Sequence, residues 1–259
     1  MMTQAPRRLA NHVAVVTGGS SGIGRAVCQA IAREGAAVAV VGTDRGRIDE
    51  TVASLAEPAN RSASHLPLAL DVRSEDDMRR MADLVVERFA RIDILVACAG
   101  ILRPPGGMPK PLVKVSVGEW DQILDTNLKG VFLSNRAVLP AMIAQRRGTI
   151  INLSSVSGLR GRAHDAPYCA SKFGIIGLTQ SLAEEVRGHS IRVELVLPDA
   201  VATPIWRQNG PVPMPAHALA PERVADLVRF MLTEPEDTVL VAPVIAPFAS
   251  AQRSAAGRG

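Results

Sequence analysis

Residues 17–24 read TGGSSGIG. The stretch follows VAVVT (13–17), a short apolar run rich in β-branched residues, and it opens a helical pattern, RAVCQAIAREG (25–35). Strand, glycine turn and helix in that order begin a βαβ unit. At such a turn the free amides of the helix N-terminus attract phosphate charge. Gly18 permits the tight turn, while Gly22 and Gly24 let backbone approach a pyrophosphate and let the helix pack on the sheet. With Ser20, Ser21 and Ile23 between them, the turn is a candidate dinucleotide cradle. Its spacing is GxxxGxG, and the glycines alone would also suit an ordinary βα turn; the strand–turn–helix context favours the cradle.

Outward from this turn the same alternation repeats. Further apolar runs are AVAVV (37–41), LPLAL (66–70), DILVA (93–97), TIINL (149–153), IRVELVL (191–197) and TVLVAPVI (238–245). Most segments between them are long enough for a helix. Near-continuous apolar strands alternating with helices imply a parallel sheet covered on both faces, and right-handed crossovers make it doubly wound. No composition shift marks a second domain. LRPPGGMPKPLVK (102–114) reads as a loop, and PIWRQNGPVPMPAHALAP (204–221), with five prolines, has the character of a lid. Trp206, Val212, Met214 and Leu219 would give that lid an apolar face, with Arg207 and His217 as its polar groups. The end of the chain, 248–259, reads as a flexible tail.

Composition removes several function classes. The chain has 259 residues, 47% of them hydrophobic, enough for a substantial core. A net charge of +4 comes from scattered arginines, and aromatics are only 3%, so neither a nucleic-acid patch nor a base-stacking surface is expected. Cys28, Cys98 and Cys169 are odd in number and widely spaced, which fits buried thiols in a reducing, cytoplasmic setting. No metal site is expected. The N-terminal stretch MMTQAPRRLANH lacks the apolar region of a secretory signal, and no run approaches membrane-spanning length.

A second stretch stands out against this background. APYCASKFG (166–174) holds the only tyrosine and one of four lysines, against 25 arginines. Tyr168 and Lys172, four apart, share one helix face. A phenol titrates near 10 and is a poor acid–base group at neutral pH; a nearby ammonium is expected to lower that value. Pro167 suits the first turn of this helix, which puts the pair near its N-terminal end. Thirteen residues upstream, Ser155 follows the fifth apolar run at its C-terminal end, the edge where open α/β sheets bind ligands. Its hydroxyl there can hydrogen-bond a substrate carbonyl. Ser154 is expected to face the opposite side. His164 and Asp165 read as a solvated loop.

In order and spacing these features resemble the short-chain dehydrogenase/reductase family. TGGSSGIG resembles its TGxxxGxG cofactor turn, DTNLKGVF (125–132) carries its helix asparagine at Asn127, and Ser155 with Tyr168 and Lys172 matches its serine and YxxxK motif. Asp71 and Val72 match the pair that faces adenine, Ala97–Gly100 stands where the family has NNAG, and PDAVATP (198–204), with Val201 and Thr203, resembles the segment that closes on nicotinamide. The resemblance covers about residues 10–247. It implies a single seven-stranded Rossmann-type domain assembled as a homodimer or homotetramer. It also implies hydride transfer between a nicotinamide cofactor and a carbonyl or secondary alcohol. Tyr168 would act as general acid and base, Lys172 would lower its pKa and bind the nicotinamide ribose, and Ser155 would hold the substrate oxygen. Asn127 would support a water-linked proton path. Ala97, Ala99 and Gly100 would line the cofactor.

The departures from the family pattern are informative. Ala97-Cys98 replaces two side-chain amides, and Asp199 replaces a glycine beside the expected nicotinamide pocket. The alternative reading is a dinucleotide-binding regulator or structural subunit without turnover. The acid that selects NAD in this family falls at Gly42, which has no side chain. Thr43 and Arg45 would suit a 2′-phosphate, so NADP(H) is favoured with NAD(H) open. Asp44 is read as the N-cap of the helix that follows.

Overall fold

The first strand, β1 (Val13–Thr17), is buried along its whole length. Its side chains alternate between two separate cores. Ala14 and Val16 join one, Val13 and Val15 the other, as the period of two requires when both faces are covered. Residues 7–60 and 63–249 are described in the computed structural model. The further strands are β2 (Ala37–Gly42), β3 (Leu66–Ala69), β4 (Ile94–Ala97), β5 (Gly148–Leu153), β6 (Ile191–Pro198) and β7 (Val244–Ile245). They form one sheet in the order β3-β2-β1-β4-β5-β6-β7, with every pair parallel. This is a single doubly wound α/β domain, as the alternation of runs predicts, with the seven-stranded Rossmann-type sheet that the family resemblance implies.

The helices are α1 (Gly22–Arg33), α2 (Arg45–Ala53), α3 (Glu75–Phe89), α4 (Val117–Leu124), α5 (Gly130–Gln145), α6 (Ala166–Val186) and α7 (Pro221–Thr233). One core packs α1 and α7 on the sheet through Val27, Ile31, Val224, Val228 and Met231, all buried. The other packs α3, α5 and α6 through Met78, Met81, Val85, Leu133, Val138, Met142 and Leu182. Local signals start the helices. Asp44 caps α2 by accepting from the Arg47 amide at 3.1 Å, Ser74 caps α3, and Ser116 with Glu119 forms a capping box on α4. Helices α4 and α5 run on through a π-helical turn, Asp125–Lys129, which contains Asn127.

The seventh strand is far shorter than TVLVAPVI suggests. Only Val244 and Ile245 pair, against Leu197 and Pro198. Side chains occupy the backbone of the preceding residues. Arg192 donates to the carbonyls of Pro235 and Thr238, and the Leu240 amide donates to Glu194. Residues 250–259 of the expected tail lie outside the described residues. No helix of the described residues is long and apolar enough to cross a membrane.

One polar contact fixes where β1 and β4 begin. Asp93 is 3% exposed; its carboxylate accepts from the Val13 amide at 2.8 Å and from Arg91 Nε at 2.8 Å. Asp93→Ala removes the carboxylate that accepts these bonds and should cost about 1.5–3 kcal/mol of folding stability, the range for a hydrogen bond to a charged group. A urea unfolding midpoint equal to that of the wild type would refute this account.

Candidate active site

A cleft of about 480 Å3 opens at the C-terminal ends of β4, β5 and β6. The fold places it at the sheet edge where α/β ligand sites form. A larger depression of about 1160 Å3, past His12, Gly148 and Ile191, lies at the opposite end of the strands and holds none of the candidate residues.

Ser155, Tyr168 and Lys172 all line the cleft. Ser155 follows β5 and is the N-cap of a short 3-10 turn; its Oγ accepts from the Ser157 amide at 3.1 Å. Ser154, expected on the opposite side, also borders the cleft, and its Oγ donates to the Lys172 carbonyl at 2.8 Å. Pro167 stands in the first turn of α6, so Tyr168 is one residue into the helix from it. Lys172 is 6% exposed, and its Nζ donates to the Leu153 carbonyl at 3.0 Å.

The charge relation within this group differs from the expected one. Burial pushes the Tyr168 phenol up to about 12, opposed by a hydrogen bond with Ser155 and by the Arg162 charge. Burial also pushes Lys172 down to about 8, opposed by Cys98. The net shift of the phenol is upward even with Lys172 one helical turn away. One helical turn carries the ammonium over the ring, 5.7 Å from its centroid, and the Leu153 carbonyl holds it there. Desolvation therefore outweighs the cation. Cys98 lines the same cleft, its thiol pushed up to about 12 by burial with Lys172 opposing.

Asn127 is fully buried beside this group. Its Oδ1 accepts from the Ile101 amide at 2.8 Å; its Nδ2 donates to the Ile101 carbonyl at 2.9 Å and to Ser171 Oγ at 3.0 Å. The side chain thus pins the loop after β4 to α6.

The glycine turn meets the cleft through Ile23. Gly18 and Gly22 have φ of 67° and 51°, the left-handed region that favours glycine. A Cβ on Gly24 would stand 2.2 Å from the Gly18 carbonyl oxygen, and one on Gly18 would stand 2.8 Å from Ala99. Ser21 caps α1 by position but makes no side-chain cap, which leaves the first-turn amides to an external acceptor. These features fit a pyrophosphate. Thr203 packs 3.1 Å from a Cβ built on Gly22, so the segment after β6 closes over the turn; Val201 bridges to Leu219 behind it. Ser20 borders Gly42 at the end of β2, and Thr43 is exposed beyond it. Val72 packs on Gly130, whereas the Asp71 carboxylate pairs with Arg73 at 2.6 Å, a contact that holds it below the usual range. Ala97 is buried within β4, and Ala99 and Gly100 form the loop beside it.

Several cleft residues carry no signal in the sequence. Arg103, Arg162 and Asn209 line the cleft, as does Asp165, which turns inward to Arg103 rather than into solvent. His164 does remain exposed. Asp199 also faces the cleft and pairs with Arg162 at 3.0 Å. From the lid, Trp206 and Val212 reach the cleft; Arg207, Met214, His217 and Leu219 do not. The partners of these arginines stand 37 to 106 residues away in the chain, beyond any local pattern.

The short chain dehydrogenase family pattern matches residues 12–212. The (3R)-3-hydroxyacyl-CoA dehydrogenase of Canis lupus familiaris is 38% identical over 245 residues, which cover 89% of this chain and 92% of that protein. A 3-oxoacyl-acyl-carrier-protein reductase of Thermotoga maritima is 37% identical over 238 residues, covering 88% and 92%. Among solved structures, a metagenomic short-chain oxidoreductase in complex with NADP superimposes with a TM-score of 0.75 at 35% identity, covering 93% of this chain and 98% of that one.

The phenol's environment is open to direct measurement, because Tyr168 is the only tyrosine. A free phenol is half ionised near pH 10. The cofactor-free protein should show almost no tyrosinate absorbance at 295 nm at that pH while its circular dichroism remains native. Half-ionisation at or below pH 10 in folded protein would overturn the burial argument.

Proposed function

This chain belongs to the short-chain dehydrogenase family, and from that premise we propose an NADP(H)-dependent oxidoreductase that interconverts a carbonyl and a secondary alcohol, with Tyr168 as general acid and base. The observation that carries the reading is the meeting of Ser155, Tyr168 and Lys172 in one cleft beside the glycine turn. A nicotinamide cofactor, when bound, supplies or accepts the hydride. The chain's own residues handle the oxygen and its proton. Ser155 holds the substrate oxygen, and Tyr168, which lines the same cleft, stands next to the same atom. With the phenol held up near 12, Tyr168 is protonated at neutral pH and ready to donate to a carbonyl as it is reduced. Lys172, anchored on Leu153, keeps a cation over the ring, where it favours the phenolate left behind. Asn127 keeps the loop after β4 in place, and a water-linked proton path past it remains part of the proposal.

The charges at the end of β2 support NADP(H). A carboxylate there would serve the ribose of NAD, but Gly42 has none, and Asp44 is committed to capping α2 and to Arg47 at 3.2 Å. Arg25 reaches back across the turn and donates to the Ser20 carbonyl at 3.0 Å while pairing with Glu50 at 3.2 Å, which ties the turn to α2. Thr43 stands free to donate to a 2′-phosphate.

For the substrate, the walls support a neutral, moderately apolar body. Leu102, Ile205, Trp206, Val212 and two lid prolines face inward, and the two cleft arginines are each paired with an aspartate. Residues 204–221 act as the lid in this reading. The named relatives act on 3-hydroxyacyl and 3-oxoacyl thioesters, which makes a 3-oxoacyl thioester the first compound to try, ahead of a small ketone, a steroid and a polyol. Exposed Phe132 on α5 and Phe173 on α6 support a homodimer or homotetramer, and the free thiols suit a cytoplasmic setting.

The test is reduced-cofactor consumption at 340 nm over that panel. Tyr168→Phe should keep cofactor binding and lower the rate by roughly 10²–10⁴-fold, the contribution of a positioned general acid. Turnover within a few-fold of wild type would sink the assignment.

Cofactor choice is read from kcat/KM with each nucleotide at fixed substrate. NADPH should be preferred, and Gly42→Asp should move the preference toward NADH. The new Cβ would come closest to Ser20 Oγ, at 2.9 Å, a hydroxyl that can rotate away, with Ser20 Cβ at 3.3 Å and Ile48 Cγ1 at 3.6 Å. A wild-type preference for NADH would reverse the cofactor reading.

A further inference from the structure

Arg103 is 7% exposed, an unusual place for a guanidinium outside any helix or strand. It stands in the loop after β4 and touches two other segments. Nη1 donates to Asn209 Oδ1 of the lid at 2.6 Å. Nη2 donates to the carboxylate of Asp165 and, at 3.4 Å, to the His164 carbonyl. The adjoining backbone repeats the link to the lid: the Leu102 amide donates to Gln208 Oε1 at 2.8 Å. Asp165 is the N-cap residue of α6 yet makes no side-chain cap, since its carboxylate goes to Arg103. Tyr168 follows three residues later. His164 holds a φ of 68°, a left-handed conformation that a non-glycine residue keeps only when its surroundings fix it.

From this geometry we propose that Arg103 is a positioning residue that couples the substrate lid to the start of the catalytic helix. The proposal rests on the reading of Tyr168 as the acid–base group. The side chains of Arg103 and Asp165 are 8% and 18% exposed, so parting them would leave uncompensated charge in a poorly solvated place. The pair therefore holds the loop against α6 strongly, while the neutral contact to Asn209 is the weaker arm. Such an arrangement lets the lid open at Asn209 while α6 stays fixed. When the lid closes on a substrate, Arg103 keeps Trp206 of the lid and Tyr168 of α6 lining one cleft. A guanidinium suits the role because its planar fork reaches two partners at once, which an ammonium on a single point cannot match.

The experiment compares Arg103→Met, Arg103→Lys and Asn209→Ala. The readouts are kcat, KM, the cofactor dissociation constant from NADPH fluorescence, and acrylamide quenching of Trp206 in a Trp120→Phe background. Arg103→Met should raise KM and lower kcat together, with a loss in kcat/KM of about 10²-fold, the scale of a roughly 1 Å misplacement. Cofactor affinity should stay within about twofold, since Arg103 touches no part of the glycine turn. Asn209→Ala should raise KM and Trp206 quenching with a smaller loss in kcat. Arg103→Lys should fall between wild type and the Met variant. If Arg103→Met does not fold, Arg103→Lys and Asn209→Ala still decide the matter by their split between KM and kcat.

Unchanged Trp206 quenching in Arg103→Lys and Asn209→Ala would overturn the coupling. So would a kcat loss with unchanged KM that matches the fraction of inactive protein. Absence of turnover by the wild type on every carbonyl would instead defeat the proposed function, while the quenching series would still decide the clip.

Discussion

The bond from Lys172 Nζ to the Leu153 carbonyl joins the last residue of β5 to the second turn of α6. The rest of the site hangs on that junction. Ser154 closes the same corner from the other side by donating to the Lys172 carbonyl. Gly158 lets the connecting turn pass: a Cβ there would lie 2.7 Å from Ser154 Oγ and 2.8 Å from the Lys172 carbonyl oxygen. With β5 and α6 locked, Ser155 and Tyr168 meet in one cleft although thirteen residues separate them. Ser171 carries the lock onward to Asn127, and Asn127 to Ile101. One lysine therefore organises three segments, which gives a structural reason for a lysine here in a chain with only four lysines against 25 arginines.

What the sequence made legible was local. The period of two in the strands, the glycine turn with its helix, the cap at Asp44, and the four-residue spacing of Tyr168 and Lys172 depend on neighbours in the chain. They stand in the structure as read. What escaped depends on distant partners. The 238–245 run looks like a strand because strand propensity is a property of the run, but ladder bonds need free backbone groups, and Arg192 and Glu194 had taken several of those nearby. Asp165 looks solvated because nothing adjacent shows that Arg103, 62 residues upstream, comes to meet it. The phenol's net shift is not legible from spacing for the same reason. Spacing tells how near an ammonium can come, whereas burial depends on the whole cleft, and burial is the larger effect.

Aspartates at both ends of the site have arginine neighbours. Asp44 caps its helix and pairs with Arg47, and Asp71 pairs with Arg73, at the end where a nucleotide would lie. Asp165 pairs with Arg103 and Asp199 with Arg162 around the cleft. A carboxylate left free at either place would repel a phosphate or raise the cost of burying a carbonyl compound. Pairing removes that repulsion while keeping the groups as ties between segments. Asp199, which replaces a small residue of the family pattern, thus becomes part of the wall and need not disturb the chemistry.

The Ala97-Cys98 departure raises the question of what keeps the centre of the sheet rigid without two side-chain amides. Packing supplies an answer. Gly18 lies so close to the loop after β4 that an added Cβ would stand 2.8 Å from Ala99, and Cys98 keeps its backbone bond to Thr17 at 3.1 Å. On the far side of the turn a Cβ on Gly19 would meet Cys28 Sγ and Val40 at 3.0 Å each. Close-packed contacts of this kind resist displacement from every direction, whereas an amide bond is directional. Small residues at 97–99 and glycines at 18–19 are therefore two halves of one solution. The loop can press against the turn because neither side carries bulk, and the turn keeps the shape that exposes the amides of α1.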